Sequence, residues 1–479
     1  MKLRSLLVFL LLMMCFSCNK EKSSANDVYF GGLIVNPTSK YVVLLKKDVV
    51  VDTFFLNSKN QFGGKLIGVE KGLYVFKHPP EHQILYLEPG DSTLVLLNTL
   101  DFDESLNFSG KGAEKSNYLN RMYLLNQENN NLILSCFKLG AEEFSKKTDS
   151  IRSLRKEHLD KLHKKYKFSN EFFDLAEASI DYEFYDLRER YAFLIRKYSG
   201  KDAIKNIPSD FHEYRKEISF NDEKLEDYYV YLNFLDDFLR IKSLEYCEDA
   251  LPGTDCADFE KFENLERRIV LADSLILNER IKNNFIDRFA AQGIIYSQST
   301  EDLIAILKLL DKVNYTGDRR TDLRQMAGIQ NSLLPGNNIG ELKLLNFQKD
   351  TILLNDISSK PKITFHWTVN SQSHYKWQHK RIEELKKRFP EVEFVGINID
   401  KNHFEEWHNI IADQGYNEIN EYKLNVLSLN EDLLKIYLYK SIFLDQSGKI
   451  IKGDAQINSP DFEDNIEEFL DELFPYKKA

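Results

Sequence analysis

The sequence predicts a multidomain α+β protein: an N-terminal antiparallel β-sandwich, a helical middle region and a C-terminal α/β domain. Length is the first observation, because 479 residues make room for about two to four domains of roughly 100–200 residues each. Periodicity is the second. Short β-branched and aromatic runs alternate with turn residues in the first part of the chain, helical spacing follows, and strands then alternate with helices towards the end. Composition is the third. Hydrophobic residues at 43% and aromatics at 13% exclude a disordered chain. With 64 Lys and Arg against 75 Asp and Glu, a formal charge of −11 argues against nucleic-acid binding through bulk positive charge. Five cysteines are too few for a disulfide-dense scaffold.

Residues 1–17 read as a targeting segment. Lys2 and Arg4 supply positive charge, and Leu6–Phe16 is an almost unbroken apolar run, too short for a membrane span of about 20 residues. The run ends in Ser17–Cys18–Asn19–Lys20. This resembles a bacterial lipoprotein signal, which implies lipidation at Cys18, residues 18–27 as a tether and, with Asn19 next, an outer-membrane address. Acyl chains contribute about 0.8 kcal/mol per buried CH₂, and Asn19–Asp27 reaches about 30 Å at roughly 3.3 Å per residue. Ordinary secretion and an uncleaved anchor are the alternatives.

Residues 28–110 are expected to form the sandwich. Strand-like runs at 28–35, 41–46, 49–56, 61–69, 73–77, 83–87 and 93–97 are separated by turn residues such as Asn36–Pro37–Thr38 and Pro89–Gly90–Asp91. Residues 111–333 form the helical region. Tyr182, Tyr185, Glu189 and Phe193 trace one helical face and Tyr228, Tyr231, Leu235 and Phe238 another, read as packing core rather than a ligand groove. The charged stretch Arg152–Lys167 reads as a solvated face. Cys247 and Cys256 flank the turn Leu251–Pro252–Gly253 and are placed to close a disulfide loop, with two buried free thiols as the alternative. Cys136 reads as core.

Residues 334–479 carry a buried strand at 362–367, a helix faced by Tyr375, Ile382, Leu385 and Phe389, and a second apolar strand at 392–399. Helices near 403–414 and 431–437, a hairpin across Gln446–Ser447–Gly448 and a last helix at 462–473 follow. This order resembles the thioredoxin arrangement. Val392–Asp400 (VEFVGINID) resembles the second central strand of the membrane-tethered TlpA-like thiol-disulfide oxidoreductases, and Phe443–Ile450 resembles their hairpin. Ile363–Ser373 (ITFHWTVNSQS) occupies the stretch where that family carries an apolar strand, an aromatic residue and Cys-x-x-Cys. Leu85–Asp91 with Leu106–Gly110 also resembles a domain of unknown function that commonly precedes thioredoxin-like domains in Bacteroidetes lipoproteins.

The resemblance implies thiol-disulfide exchange, which needs a thiolate at a helix N-terminus and a resolving cysteine one turn later. The two family positions fall on Asn370 and Ser373, and no cysteine follows Cys256. Asn and Ser cap helices well but form no thiolate. The family's cis-proline position falls on Tyr439, with Lys440 next. A non-proline cis bond costs about 3–4 kcal/mol, so a trans bond is expected there. His366 and Trp367 stand near the ancestral active-site rim, as partner contacts or as core.

No metal or other cofactor is expected. His374 and His379, like His403 and His408, are five apart and lack the i, i+4 spacing of a helical zinc pair; they read as solvated. Ser373 beside His374 diverges on a helix and lacks an orienting acid. The acidic residues of the last helix read as a solvated face. The expected function is therefore a lipid-anchored envelope protein with a redox-inactive domain. It would bind an outer-membrane or periplasmic protein partner as an accessory subunit of an outer-membrane assembly. A working thiol-disulfide oxidoreductase, or an enzyme of unrelated chemistry in the helical or β region, are the alternatives.

Overall fold

The computed structural model describes residues 27–475 apart from 201–202, 204–205, 260 and 426–430. The signal segment, Cys18 and the tether up to residue 26 lie outside the described residues. The chain divides into two compact units between Phe238 and Leu239, inside a helix. Among the described residues no helix is long and apolar enough to cross a membrane.

The first unit opens with β1 (Val28–Val35), β2 (Tyr41–Lys46), β3 (Val49–Phe55), β4 (Gln61–Leu66), β5 (Gly72–His78), β6 (Glu81–Leu87), β7 (Ser92–Asn98) and β8 (Asn107–Lys111). They form two four-stranded sheets, ordered β4-β1-β7-β8 and β3-β2-β5-β6. Alternating side chains turn inward from both. Phe30 and Phe62 of one sheet meet Phe54 and Phe76 of the other, with Phe30 centroids 5.6–6.0 Å from the remaining three. Each such ring, fully buried, contributes about 1.5–3 kcal/mol. The expectation of an antiparallel sandwich needs one correction: β1 and β7 are parallel. Alternation assigns a residue to a face but not a strand to its neighbour. Gly32 sits where β1 passes Val95, and a Cβ there would collide with that residue's carbonyl.

Helices α1 (Ala113–Cys136), α2 (Ala141–Tyr166), α3 (Asn170–Ser199) and the first part of α4 (Tyr229–Ala250) complete this unit. Ser169 caps α3 by accepting from Phe172 N at 3.2 Å. The two aromatic faces pack together, Tyr182 lying 4.9 Å from Tyr231 and 5.3 Å from Phe234. Arg155 departs from the expected solvated face. It is buried and donates to Asn126 Oδ1 at 2.6 Å, because α1 supplies a polar partner that its own helix does not reveal.

The second unit contains the rest of α4, then α5 (Phe262–Leu275), α6 (Glu279–Tyr296), α7 (Thr300–Lys312) and α8 (Arg320–Ser332). The remaining elements are β9 (Lys343–Leu345), β10 (Thr351–Leu353), β11 (Lys362–Trp367), α9 (Gln372–Arg388), β12 (Glu393–Asn398), α10 (Phe404–Gln414), β13 (Glu421–Leu424), β14 (Ser441–Leu444), β15 (Ile450–Ala455) and α11 (Phe462–Leu473). They build a seven-stranded sheet ordered β10-β9-β13-β12-β11-β14-β15. β11, β12 and β13 run parallel, whereas β14 and β15 add antiparallel. One face packs on α9, α10 and α11 through residues including Phe365, Trp367, Leu385, Trp407 and Phe469. The other face, with Val395, Ile397 and Ile442, is covered by Ile295, Ile329 and Leu333 from α6, α8 and the segment after it. Helices α6 and α8 thus contribute to the core of this unit.

Candidate functional site

β11 is buried along its whole length, since helices cover both sheet faces. Ile363, Phe365 and Trp367 turn to one side; Thr364 and His366 turn to the other by strand alternation. The chain then turns through Thr368–Ser371 and enters α9. This strand–turn–helix corner brings together Asn370, Ser373 and the segment before β14.

Asn370 is tied down rather than presented as a reactive group. Its Nδ2 lies 3.3 Å from both Thr368 Oγ1 and Asp400 Oδ1. Asp400, buried at the end of β12, also accepts from Thr368 Oγ1 at 2.5 Å, Val369 N at 2.8 Å and Asn398 Nδ2 at 2.7 Å. Beneath it Lys423 Nζ donates to the Asp400 carbonyl and, at 2.9 Å, to Asn398 Oδ1. Ser373 is exposed on the first turn of α9. Neither residue has a sulfur to oxidise.

Tyr439 closes a short 3₁₀ turn, Lys435–Tyr439. Among the described residues only Pro79–Pro80 is cis. Lys440 follows in an extended conformation and is buried. Its carbonyl accepts from His366 Nδ1 at 2.9 Å, and its Nζ donates to Ile295 O at 2.7 Å and to Gln330 Oε1. Gln330 Nε2 continues the chain to Ser297 O at 2.7 Å. Burial lowers the Lys440 amine to about 7, only partly offset by the Asp454 charge. Burial likewise lowers His366 to about 4, against the Lys440 carbonyl bond that favours its charged form.

His366 and Trp367 require correction as rim residues, being 1% and 0% exposed. Trp367 Nε1 donates to Glu421 Oε2 at 3.0 Å in the interior. His379 is also not solvated. It lies 5% exposed, stacked 3.7 Å from the Tyr416 ring, with Nε2 3.2 Å from Glu421 Oε1. His374 is half-buried, and burial lowers its pKa. Both partners of His379 come from distant chain positions, so helical spacing could not reveal them.

A cavity of about 630 Å³ opens at this corner, between the start of α9 and the Leu438–Ser441 segment. Lys440, Gln378 and His374 line it, and the sequence singled out none of them as wall residues. The signal was present for two: Ser371, His374 and Gln378 recur at i, i+3 and i+7, one helical face.

The remaining cysteines are elsewhere. Cys247 and Cys256 form a disulfide, with Asn264 Nδ2 donating to the Cys256 carbonyl at 2.9 Å. Cys136 is a buried free thiol of the first unit, 3.1 Å from Lys147 Nζ. None of the three lines the cavity beside α9. In the first unit, burial raises the Glu183 and Asp186 carboxyls. Both are interior, Glu183 accepting from Asn129 Nδ2 at 2.6 Å.

The region 362–473 has a central parallel pair bridged by a helix, an antiparallel hairpin beyond it and a closing helix. The fold of this region is thioredoxin-like. No protein-family model matches the chain, and no curated protein matches it. Solved structures similar to it include the thioredoxin domain of a thiol-disulfide oxidoreductase from Bacteroides vulgatus (19% identity, 28% of this chain and 96% of that one, TM-score 0.23). A thiol:disulfide interchange protein from Bacteroides sp. is similar at 17% identity over 31% of this chain and 95% of that one, TM-score 0.24. A thiol peroxidase from Chromobacterium violaceum shares 19% identity over 29% and 87%, TM-score 0.24.

Proposed function

We propose that this chain is a lipid-anchored cell-envelope protein whose thioredoxin-like region binds a protein partner without redox chemistry. It would act as an accessory subunit of an outer-membrane assembly, anchored through Cys18. One observation carries the reading: the two positions that would hold the reactive sulfurs are Asn370 and Ser373, and the Asn370 amide is turned onto Thr368 and Asp400. Disulfide exchange moves electrons between sulfurs, so a corner without sulfur can retain binding but not turnover.

Two measurements test this. Insulin-disulfide reduction by the full chain, with a Cys247→Ala/Cys256→Ala variant as control, should stay at the buffer rate. Turnover that survives in the control would refute the redox-inert reading. Crosslinking in intact cells, followed by purification from native membranes, should capture a stable protein companion; a chain that consistently purifies alone would refute the accessory role.

A further inference from the structure

The described residues leave one face of the first unit's sandwich uncovered. In the sheet β3-β2-β5-β6, helices pack on β6, where Tyr86 lies 5.0 Å from the Phe172 ring of α3. In the sheet β4-β1-β7-β8, outward side chains of the middle strands stay in contact with solvent: Tyr29 and Leu94 are 43% exposed and Leu96 is 50% exposed. The Tyr29 ring lies across Gly31 and Gly63, where a Cβ on either glycine would meet it. Phe55, 74% exposed at the end of β3, joins Tyr29, Leu33, Leu94 and Leu96 around a groove of about 620 Å³ that no charged residue lines. The outward positions of these four strands include no Asp or Glu, although carboxylates outnumber Lys and Arg in the chain. Their charges are Lys65 and Lys111, in the same cross-strand row as Tyr29, and Lys65 is paired with Asp27 at 2.7 Å. Exposed apolar surface of this kind marks a contact with a protein or with a membrane.

The place where the chain enters this face selects between them. β1 begins at Val28, directly after the Asn19–Asp27 tether, and Tyr29 and the two lysines form the row at that end of the sheet. We propose that the outward face of β4-β1-β7-β8 rests on the bilayer that holds the Cys18 anchor, with Tyr29, Leu94, Leu96 and Phe55 entering the interfacial layer. This orientation rests on the Cys18 anchoring proposed above. A tether of about 30 Å lets the sheet lie flat on the membrane. A contact too weak to hold a free protein then becomes an intramolecular one with a high effective concentration. Tyrosine suits the layer because its ring is apolar and its hydroxyl stays wet. Lysine ammonium groups favour anionic headgroups, and outward positions without carboxylates add no repulsion from them.

The full chain, purified from native membranes and reconstituted in vesicles of phosphatidylethanolamine and phosphatidylglycerol, tests the orientation. A fluorophore on Leu96→Cys reads the face, and one on Lys77→Cys reads the outer side of the opposite sheet, where Lys77 is exposed. Labelling is selective because Cys136 is buried and Cys247 is bonded to Cys256. Nitroxide-bearing lipid should quench the label at residue 96 about twofold or more beyond the label at residue 77. Equal quenching at the two positions, or none at either, overturns the docking. Leu94→Glu in the Leu96→Cys chain puts a carboxylate on an already exposed position. Circular dichroism should match the parent, and quenching should fall to the level at residue 77; quenching unchanged by that charge overturns the assignment to this face. Mass spectrometry of the Cys18 peptide reads the anchor separately. A chain without an acyl group there refutes the anchor and the docking together, whereas an acylated chain unquenched at residue 96 overturns the docking alone. In intact cells a photo-crosslinker at residue 96 should capture lipid; consistent capture of one protein instead assigns the face to a partner and overturns the docking.

Discussion

Replacing Lys440 by Met tests whether the interior of the thioredoxin-like region holds a neutral amine. Lys440 is 5% exposed, and burial lowers its pKa from 10.5 to about 7. Between those values the unfolded chain binds a proton that the folded chain does not. Stability from this group is therefore fully present above 10.5 and is lost as pH falls through about 7. The slope is up to about 1.4 kcal/mol per pH unit, so roughly 2–3 kcal/mol accumulates between about pH 7.5 and 9.5. Met has similar length and no charge, so the parent's stability minus the variant's should grow by that amount across the window. Urea unfolding followed by tryptophan fluorescence is the assay. All three tryptophans, Trp367, Trp377 and Trp407, belong to the second unit, which matters because a chain of two units need not unfold in one step. The window stops short of the half-buried Tyr416 and the buried Tyr437, both raised to about 12. A difference that stays constant with pH would show that Lys440 remains charged when folded and would refute the reasoning.

Three further outcomes are expected. Asp400→Ala strips the acceptor from Val369 N, Thr368 Oγ1 and Asn398 Nδ2, and should cost the second unit about 3–5 kcal/mol in urea; a loss below about 1 kcal/mol would contradict the role given to Asp400 in holding the turn. Arg215→Ala removes the Arg215 guanidinium from Glu189, which is 0% exposed and held by Arg215 Nη2 at 2.5 Å and Tyr214 Oη at 2.6 Å. Helical circular dichroism should report a destabilisation of about 3–5 kcal/mol. Reducing the Cys247–Cys256 bond reopens a short loop of sequence separation 9, which the chain-entropy relation values at about 2–3 kcal/mol. A melting temperature unchanged by dithiothreitol, with mass spectrometry confirming reduction, would contradict that value.

Much of the backbone was legible because it is written in local patterns. The apolar alternation of Val28–Val35 and its neighbours marks strands wherever half of a surface is buried. The run at 362–367 marks a strand covered on both faces. Side-chain fate was less legible. Arg155, His366, Trp367 and His379 belong to types that often reach solvent, yet each is interior because another segment supplies Asn126, the Lys440 carbonyl or Glu421. Those partners lie at distant positions in the chain, where periodicity carries no information. The parallel pairing of β1 with β7 escaped for the same reason.

Sequence alone determined that no sulfur stands at residues 370 and 373, since chemistry that depends on an element requires only knowing which atoms are present. It also determined the three kinds of segment and their order, because side-chain periodicity is a local property. Tertiary structure decided what replaced the missing chemistry. Only folding could bury Lys440 beneath α6 and α8 and turn the Asn370 amide onto Asp400. Desolvation and charge pairing are set by every atom within a few ångströms, and those atoms come together only when distant parts of the chain pack.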